Sequence, residues 1–280
     1  MTSEVMARHR SPDYRPPMSH ATLQFGSLLK EWRQRRRVSQ LDLACQGEIS
    51  TRHLSFLETG RAQPSREMVL HLAEQLAVPL RDRNTLLTAA GYAPIYRERP
   101  LGDPGLRPAL RAMEAVIQGH MPYPALAVDR HWTLISANDA LPRLLVGVDP
   151  ALLAPPVNVM RVALHPSGLA PRTINLIEWR AHLLERLRRQ AEASADPVLL
   201  TLLEELRSYP APRGPKSLRE TPDYGGMVVP FELATEAGTM TFLGTTTVFG
   251  TPVDITLSEL ALECFYPADE MTARMLRRQG

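Results

Sequence analysis

The amino-acid sequence predicts a multidomain chain, in which an all-α domain of five helices precedes an α+β domain with an antiparallel sheet. A length of 280 residues fits two ordinary domains of roughly 100–200 residues each. Residues 22–92 contain consecutive short segments with helical spacing of apolar residues, bounded by capping residues and glycines. Further along the chain, β-branched and aromatic runs alternate with helical patterns. We place the domains at residues 21–93 and 107–276, with a Pro- and Gly-rich linker over residues 94–106.

Composition and charge exclude several classes of protein. The chain is 44% hydrophobic, which is enough to bury a core and excludes global disorder. Its two cysteines exclude a disulfide framework. The formal net charge of +2 is the sum of two unlike parts, because residues 1–100 hold 15 basic and 10 acidic residues, whereas residues 101–280 hold 17 and 20. This asymmetry indicates a basic module and a neutral-to-acidic module with different partners.

Residues 1–20 contain three arginines and three prolines but no apolar core, so we expect a disordered leader rather than a signal peptide. The longest uncharged run, residues 237–253, is rich in Thr and Gly and too short to span a membrane. These features predict a soluble, cytoplasmic protein with no membrane partner.

The helices of the first domain are predicted from apolar stripes and from the residues that flank them. Ser39, with Asp42 three residues later, has the spacing of a capping box, and Gly47 is expected to end that helix in the left-handed conformation. Ser50 begins the next helix and Gly60 ends it. The five helices are predicted over residues 23–36, 39–46, 51–58, 66–76 and 80–90.

Residues 39–61 have the properties of a helix-turn-helix. Two short helices that cross steeply need a small residue at their closest approach, and Ala44 supplies it. The apolar residues expected to fix the crossing angle are Leu43, Ile49, Leu54 and Leu57. The second helix then presents its other face to a major groove. That face carries Thr51, Arg52, Ser55 and Phe56.

This segment closely resembles the Xre family of lambda-repressor-like DNA-binding domains over about residues 23–92. The resemblance rests on Ser-Gln at 39–40, Leu-Ala at 43–44, Leu-Glu-x-Gly-Arg at 57–61 and Pro-Ser at 64–65. It implies double-stranded DNA as the partner, with a phosphate contact at the start of the first motif helix and base contacts from the second. The DNA-binding residues that it implies are Gln40, Ser50, Thr51, Arg52, Ser55, Thr59 and Arg61. It also implies a pair between Arg33 and Glu58.

Arg52 is the best single candidate for base discrimination, because its guanidinium fork matches the O6 and N7 atoms of a guanine. Phe56 departs from the polar residue often found there, and either touches a thymine methyl or packs. The arginine-rich run of residues 33–37 is either a second phosphate stripe or a solvated face. A helical bundle with only a solvated basic face is the alternative to DNA binding, and more than twenty matching positions favour DNA binding.

The second domain is predicted to contain a hairpin, several helices and then three strands, which is typical of an antiparallel sheet with helices on one face. The predicted strands cover residues 125–128, 133–137, 227–234, 239–249 and 253–263. The predicted helices cover residues 106–120, 139–145, 158–165, 174–193 and 197–209, and a closing helix follows Pro267.

Catalytic patterns are missing from this sequence. The eight histidines are scattered without metal-ligand spacing, and no phosphate loop or nucleophile elbow occurs. Self-cleavage beside Ala90-Gly91 is disfavoured, because Gly91 occupies a helix C-cap position and Lys216 lies in a loop unsuited to lowering its pKa. We therefore predict a protein that is not an enzyme, with no metal and no cofactor.

Trp179 and Leu183 share one face of the long helix predicted over residues 174–193, and Phe231 and Phe242 on two strands would face it. These residues form either an ordinary core or a cavity for a hydrophobic ligand, because ligand pockets are largely apolar with a few convergent polar groups.

Residues 107–275 resemble the MmyB-like ligand-binding domain found behind Xre domains in actinobacterial regulators. The resemblance rests on runs at residues 121–125, 129–132, 137–138, 158–161, 165–166, 178–180, 249–252 and 265–270. It implies a PAS-like fold and a fatty-acid-like ligand, whose carboxylate would need a cation or donors at the pocket mouth. The candidate ligand-binding residues are Asn158, Arg161, His165, Trp179, Arg180, Phe231 and Phe242.

Two functional hypotheses follow. In the first, a homodimer binds a near-palindromic operator with half-sites about 34 Å apart, and a small hydrophobic ligand in the second domain changes the dimer geometry. In the alternative, the second domain only dimerises or docks another protein and binds no ligand. A tightly filled core between Trp179 and the sheet would favour this alternative.

Overall fold

The computed structural model describes residues 20–210, 229–249 and 254–278. The chain divides into two compact units between Ile95 and Tyr96, inside the predicted linker, and each unit is described by itself. Of the predicted leader only His20 lies within the described residues, where it begins the first helix. The predicted loop over residues 211–222 lies outside the described residues.

Over the residues that the structure describes, the first unit consists of five helices, as predicted. They are α1 (His20–Arg35), α2 (Gln40–Gln46), α3 (Thr51–Glu58), α4 (Arg66–Gln75) and α5 (Leu80–Ala89). Ser39, Ser50 and Ser65 each begin a helix, and each side-chain oxygen accepts a hydrogen bond from the backbone N–H three residues later. Leu54 and Leu57 of α3 are fully buried in the common core of this unit.

The turn between α2 and α3 differs from its prediction. Gly47 has a φ of −85°, and the left-handed residue is Glu48, with a φ of 51°. Packing is tight at this glycine, because a Cβ would lie 3.0 Å from Cδ2 of Leu72 and 3.1 Å from the Leu43 carbonyl oxygen. Gly60 does adopt the predicted left-handed conformation, with a φ of 71°.

The second unit contains an antiparallel sheet of five strands in the order β2-β1-β5-β4-β3. The strands are β1 (Ala125–Val128), β2 (Leu134–Ala137), β3 (Phe231–Thr235), β4 (Gly238–Val248) and β5 (Ala261–Pro267). The register places Ala125 opposite Cys264, and Phe231 opposite Phe242.

The helices of this unit are α6 (Arg107–Gly119), α7 (Leu141–Leu144), α8 (Val159–Leu164), α9 (Leu176–Ser194), α10 (Pro197–Ser208), α11 (Ile255–Ser258) and α12 (Glu270–Arg278). The strand predicted over residues 253–263 is therefore wrong in its first half, where α11 stands. The reason is Asp254, which is buried, accepts hydrogen bonds from the first N–H groups of α11 and pairs with Arg99 at 2.7 Å.

Helices cover both faces of the sheet rather than the single face predicted. Leu126 and Val128 of β1 face the larger core, which contains α9 and α10, whereas Ala125 and Ala127 face a smaller core beneath α6. All four residues of β1 are buried for this reason. Among the described residues, no helix is both long enough and apolar enough to cross a membrane.

Candidate nucleic-acid interface and ligand cavity

Helix α3 carries the surface predicted to read DNA. Its Leu54 is buried in the core, while Thr51 and Arg52 at the helix start are exposed and Ser55 is half-buried. The Arg52 guanidinium carbon lies 5.3 Å from the ring centre of Phe56. Phe56 therefore packs against Arg52 and orients its guanidinium, as a cation–π contact does.

A buried ion pair holds α1 against the end of α3. Arg33 Nε donates to Glu58 Oε1 at 2.6 Å and Arg33 Nη2 donates to Oε2 at 3.0 Å, which is the pairing that the family resemblance implies. Gln40 Nε2 also donates to Glu58 Oε2, at 2.7 Å. The hydrogen bonds with Glu58 raise the pKa of Arg33, so its guanidinium stays charged.

The remaining predicted DNA residues lie at both ends of α3, some with hydrogen bonds of their own. The Ser50 hydroxyl oxygen accepts from the His53 N–H, and the Thr59 hydroxyl donates to the Ser55 carbonyl oxygen at 2.7 Å. Arg61 is exposed just beyond the helix. The side chains most available to DNA are therefore Thr51, Arg52 and Arg61.

Most of the arginine-rich run has structural partners. Arg33 is buried, Arg35 pairs with Glu31, and Arg36 donates to the carbonyl oxygens that follow α4, at 2.8 and 2.9 Å. Arg37 is exposed. These contacts favour a structural role for the run over a continuous phosphate stripe.

The second unit contains a partly open cavity of about 180 Å³ between α9 and the sheet. Its apolar lining consists of Leu126, Trp132, Leu134, Leu141, Leu144, Leu145, Val157, Val159, Met160, Val162, Ala163, Leu169, Trp179, Leu183, Val229, Phe231 and Phe265. Gly244, His182, Arg186 and Glu263 complete it. The core between Trp179 and the sheet is therefore not tightly filled.

Two of the three predicted aromatic residues line this cavity. Trp179 and Phe231 line it, with their ring centres 5.1 Å apart. Phe242 is fully buried behind Phe231, with ring centres 6.1 Å apart, and does not line the cavity.

Two of the predicted polar residues are caps of α8. Asn158 Oδ1 accepts from the N–H groups of Met160 and Arg161 at the helix start. His165 stands at the other end, where its Nδ1 accepts from the Ser167 N–H at 3.0 Å. Neither side chain lines the cavity.

The two predicted cations are also engaged outside the cavity. Arg161 makes a bidentate pair with Glu205 at 2.8 and 2.7 Å, and Arg180 donates to carbonyl oxygens at the end of α10, among them that of Arg207 at 2.9 Å. The structure therefore does not support a pocket mouth formed by Asn158, Arg161, His165 and Arg180, because each is used to join or cap helices.

Sequence reasoning missed the polar wall that the cavity does have. Arg186 donates to both oxygens of Glu263, at 3.0 and 2.6 Å, and lies over the Trp132 ring at 4.5 Å. Burial, then the charges of Arg186 and Arg189, lower the pKa of His182. The spacing along α9 could have identified Arg186, because it follows Trp179 by two helical turns and therefore lies on the same face of the helix.

Gly244 is a second residue that sequence reasoning missed. It stands inside β4 between Phe242 and Thr246, which point to the same side of the strand. A Cβ at Gly244 would meet only Cε1 of Phe265, at 3.9 Å. A glycine inside a strand often marks a place where another group approaches closely, and this one lines the cavity.

We expect Arg161→Met to destabilise the contact between α8 and α10 by less than about 1 kcal/mol, since its pair with Glu205 is partly exposed. The hydrogen bonds from Arg161 lower the pKa of Glu205. A carboxylate whose pKa is lowered by folding stabilises the folded state above its unfolded pKa of about 4.3. This stabilisation is lost as the pH falls through the folded pKa. Hydrogen exchange of α8 and α10 should therefore show a difference between the proteins at pH 6 that shrinks below about pH 4. A difference that stays constant down to pH 3 would contradict this assignment.

The two units together define a DNA-binding transcription regulator with a ligand-binding domain. Residues 107–278 match the family described as MmyB-like transcription regulator ligand binding domain, and residues 24–86 match the helix-turn-helix domain family. The chain belongs to this MmyB-like family of transcription regulators.

Three solved structures are similar to parts of the chain. Two are of the clp gene regulator ClgR from Corynebacterium glutamicum. One is 28% identical and covers 28% of this chain and 96% of that chain; the other is 24% identical and covers 38% and 99%, and both have a TM-score of 0.24. An RNA-binding light-oxygen-voltage receptor is 14% identical, covers 92% of this chain and 61% of that chain, and has a TM-score of 0.26. No curated protein matches the chain.

Proposed function

We propose that this regulator, which is not an enzyme, binds its operator as a homodimer in the cytoplasm and senses a small hydrophobic, fatty-acid-like ligand in its second unit. By fatty-acid-like we mean an aliphatic body with one polar end. The observation that carries this proposal is the apolar cavity with one polar wall. A ligand there contacts α9 and residues of all five strands of the sheet, so its binding energy is available to shift the second unit between states.

The alternative is a second unit that only dimerises or docks another protein. That function needs no internal space, and protein interiors are normally packed with few voids larger than a water molecule. A cavity of about 180 Å³ therefore supports the sensing function over the docking function.

For the DNA contacts we expect two arginines to behave differently. An operator is first selected from random DNA with the purified protein, and affinities are then measured by fluorescence anisotropy. Arg52→Ala should cost about 1–3 kcal/mol and relax the preference at one base position, because Arg52 is exposed at the start of α3. Arg61→Ala should weaken binding to all sequences about equally. It should also reduce the slope of log affinity against log salt concentration by about one, as expected for the loss of one phosphate contact. Equal loss on all sequences for Arg52→Ala would contradict its role in base reading.

The ligand is tested in two steps. Native mass spectrometry of the purified chain, followed by extraction, shows whether a small molecule is bound. Operator affinity is then measured with and without that molecule. Gly244→Val should abolish binding by filling the cavity, since the space at this Cβ is open. Thr247→Val, at an exposed position of the same strand, is the matched control. No bound molecule, together with no response of operator affinity to any aliphatic compound, would contradict the sensing function.

A further inference from the structure

The polar wall of the cavity contains a cation whose charge is already neutralised. Arg186 donates to Glu263 through both of its Nη atoms, and Nη2 also donates to Thr246 Oγ1 at 2.6 Å. The Glu263 side chain is 10% exposed, so its carboxylate is held inside the protein beside the cavity. The pair presents hydrogen-bonding atoms to the cavity but no net charge.

The third polar side chain, His182, adds no positive charge at neutral pH. It stacks on Trp179, with ring centres 5.5 Å apart, and burial lowers its pKa. Arg186 and Arg189 lower it further, while the Glu263 carboxylate acts in the opposite direction. A neutral imidazole has one donor and one acceptor nitrogen. The described polar residues that line the cavity therefore sum to zero charge.

Trp179 supplies a donor that lacks an acceptor. Its side chain lines the cavity, the residue is 7% exposed, and its indole Nε1 is a buried N–H with no hydrogen-bond partner among the described residues. Stacking against both His182 and Phe231 fixes the ring plane. A buried N–H without a partner is unfavourable, so a ligand atom that accepts its hydrogen bond gains affinity.

The cavity volume limits the part of a ligand that can be buried. A dry apolar cavity of about 150 Å³ holds one benzene molecule. A cavity of about 180 Å³ therefore buries about six to ten non-hydrogen atoms of a ligand.

We propose that the cavity binds an uncharged molecule with an apolar body and one terminal hydrogen-bond acceptor, such as a medium-chain amide, ketone or alcohol, and discriminates against the carboxylate anion. This inference rests on the proposed function, because it narrows the ligand class of the same cavity. A carboxylate placed against the wall meets the Glu263 carboxylate, and must displace it from Arg186 to find a counter-charge. Two buried carboxylates at one site repel each other, whereas a neutral acceptor avoids this penalty.

Octanamide and octanoate test the proposal, because they have the same number of non-hydrogen atoms and differ in charge. Each is titrated into the full chain by calorimetry at pH 7.5. Octanamide should bind at least tenfold more tightly. Octanoate binding equally well or better would overturn this inference and leave the proposed function standing. If octanamide, octanoate and 1-octanol all fail to bind, this inference is overturned. The sensing function is contradicted as well if native mass spectrometry finds no bound molecule and operator affinity responds to no aliphatic compound.

Two variants test the assigned atoms. Trp179→Phe keeps an aromatic ring but removes the N–H, and should weaken octanamide about two- to tenfold. Glu263→Gln removes the competing charge and frees Arg186, so octanoate should gain at least tenfold and overtake octanamide. Thr247→Val should change neither affinity. Unchanged octanamide affinity in Trp179→Phe would overturn the assignment of the donor, and this test stands even if Glu263→Gln fails to fold.

Discussion

Replacing Glu58 with alanine is expected to destabilise the helical unit by about 3–5 kcal/mol. The carboxylate is 2% exposed and accepts hydrogen bonds from both Arg33 and Gln40, so its removal leaves the Arg33 guanidinium buried without a counter-charge. The lost contact joins α1 to the C-terminal end of α3, so the orientation of the proposed recognition helix should change as well.

Hydrogen exchange of the full chain, analysed peptide by peptide, measures this loss in the first unit alone. The matched control is Glu31→Ala, because Glu31 pairs with Arg35 on the same helix but is 54% exposed. That variant should lose less than about 1 kcal/mol. Equal losses in the two variants would show that the buried pair contributes no more than a surface pair does.

Gly26→Ala should also destabilise the helical unit, by at least about 1–3 kcal/mol, and should weaken operator binding along with it. A Cβ on Gly26 would lie 2.5 Å from the Leu57 carbonyl oxygen and 2.6 Å from that of Glu58. These are backbone atoms of α3 and cannot turn aside, so α1 and α3 must separate. The movement displaces the helix that carries Thr51 and Arg52.

The control for this prediction is Gly119→Ala, at the end of α6, where a Cβ would meet nothing within 4 Å. Alanine is the better helix former, so this variant should be unchanged or slightly more stable. Thermal unfolding and operator affinity are measured for both proteins. Wild-type operator affinity and stability in Gly26→Ala would show that α1 and α3 have room that the structure does not show.

Local signals made the first unit predictable from the sequence. Ser39, Ser50 and Ser65 cap helices through atoms three residues away, so both partners of each interaction are visible in a short window. The pairing of Arg33 with Glu58, which joins distant residues, was available only through the family resemblance. The wrong assignment at Gly47 has the same cause, because the tight contact at this glycine comes from Leu72 on another helix.

The second unit was predicted less completely because its decisive contacts join distant residues. A charged residue such as Arg161 has no local mark that separates a ligand contact from a pair with Glu205. The cavity wall forms only when Arg186 on α9 meets Glu263 on β5. The beginning of β5 was misplaced because the run at 253–258 has strand-like composition, while the Asp254 cap and its pair with Arg99 favour a helix.

The sheet order gives the two units very different contact orders. β5 lies at the centre of the sheet, between β1 and β4, yet β1 precedes it by most of the second unit. The central ladder cannot close until the chain has been synthesised through β5, and closing so long a loop slows folding. The five helices of the first unit depend on closer neighbours and fold sooner. During translation, the proposed DNA-reading unit is thus complete while the sensing unit still lacks its middle strand and exposes apolar surface to chaperones.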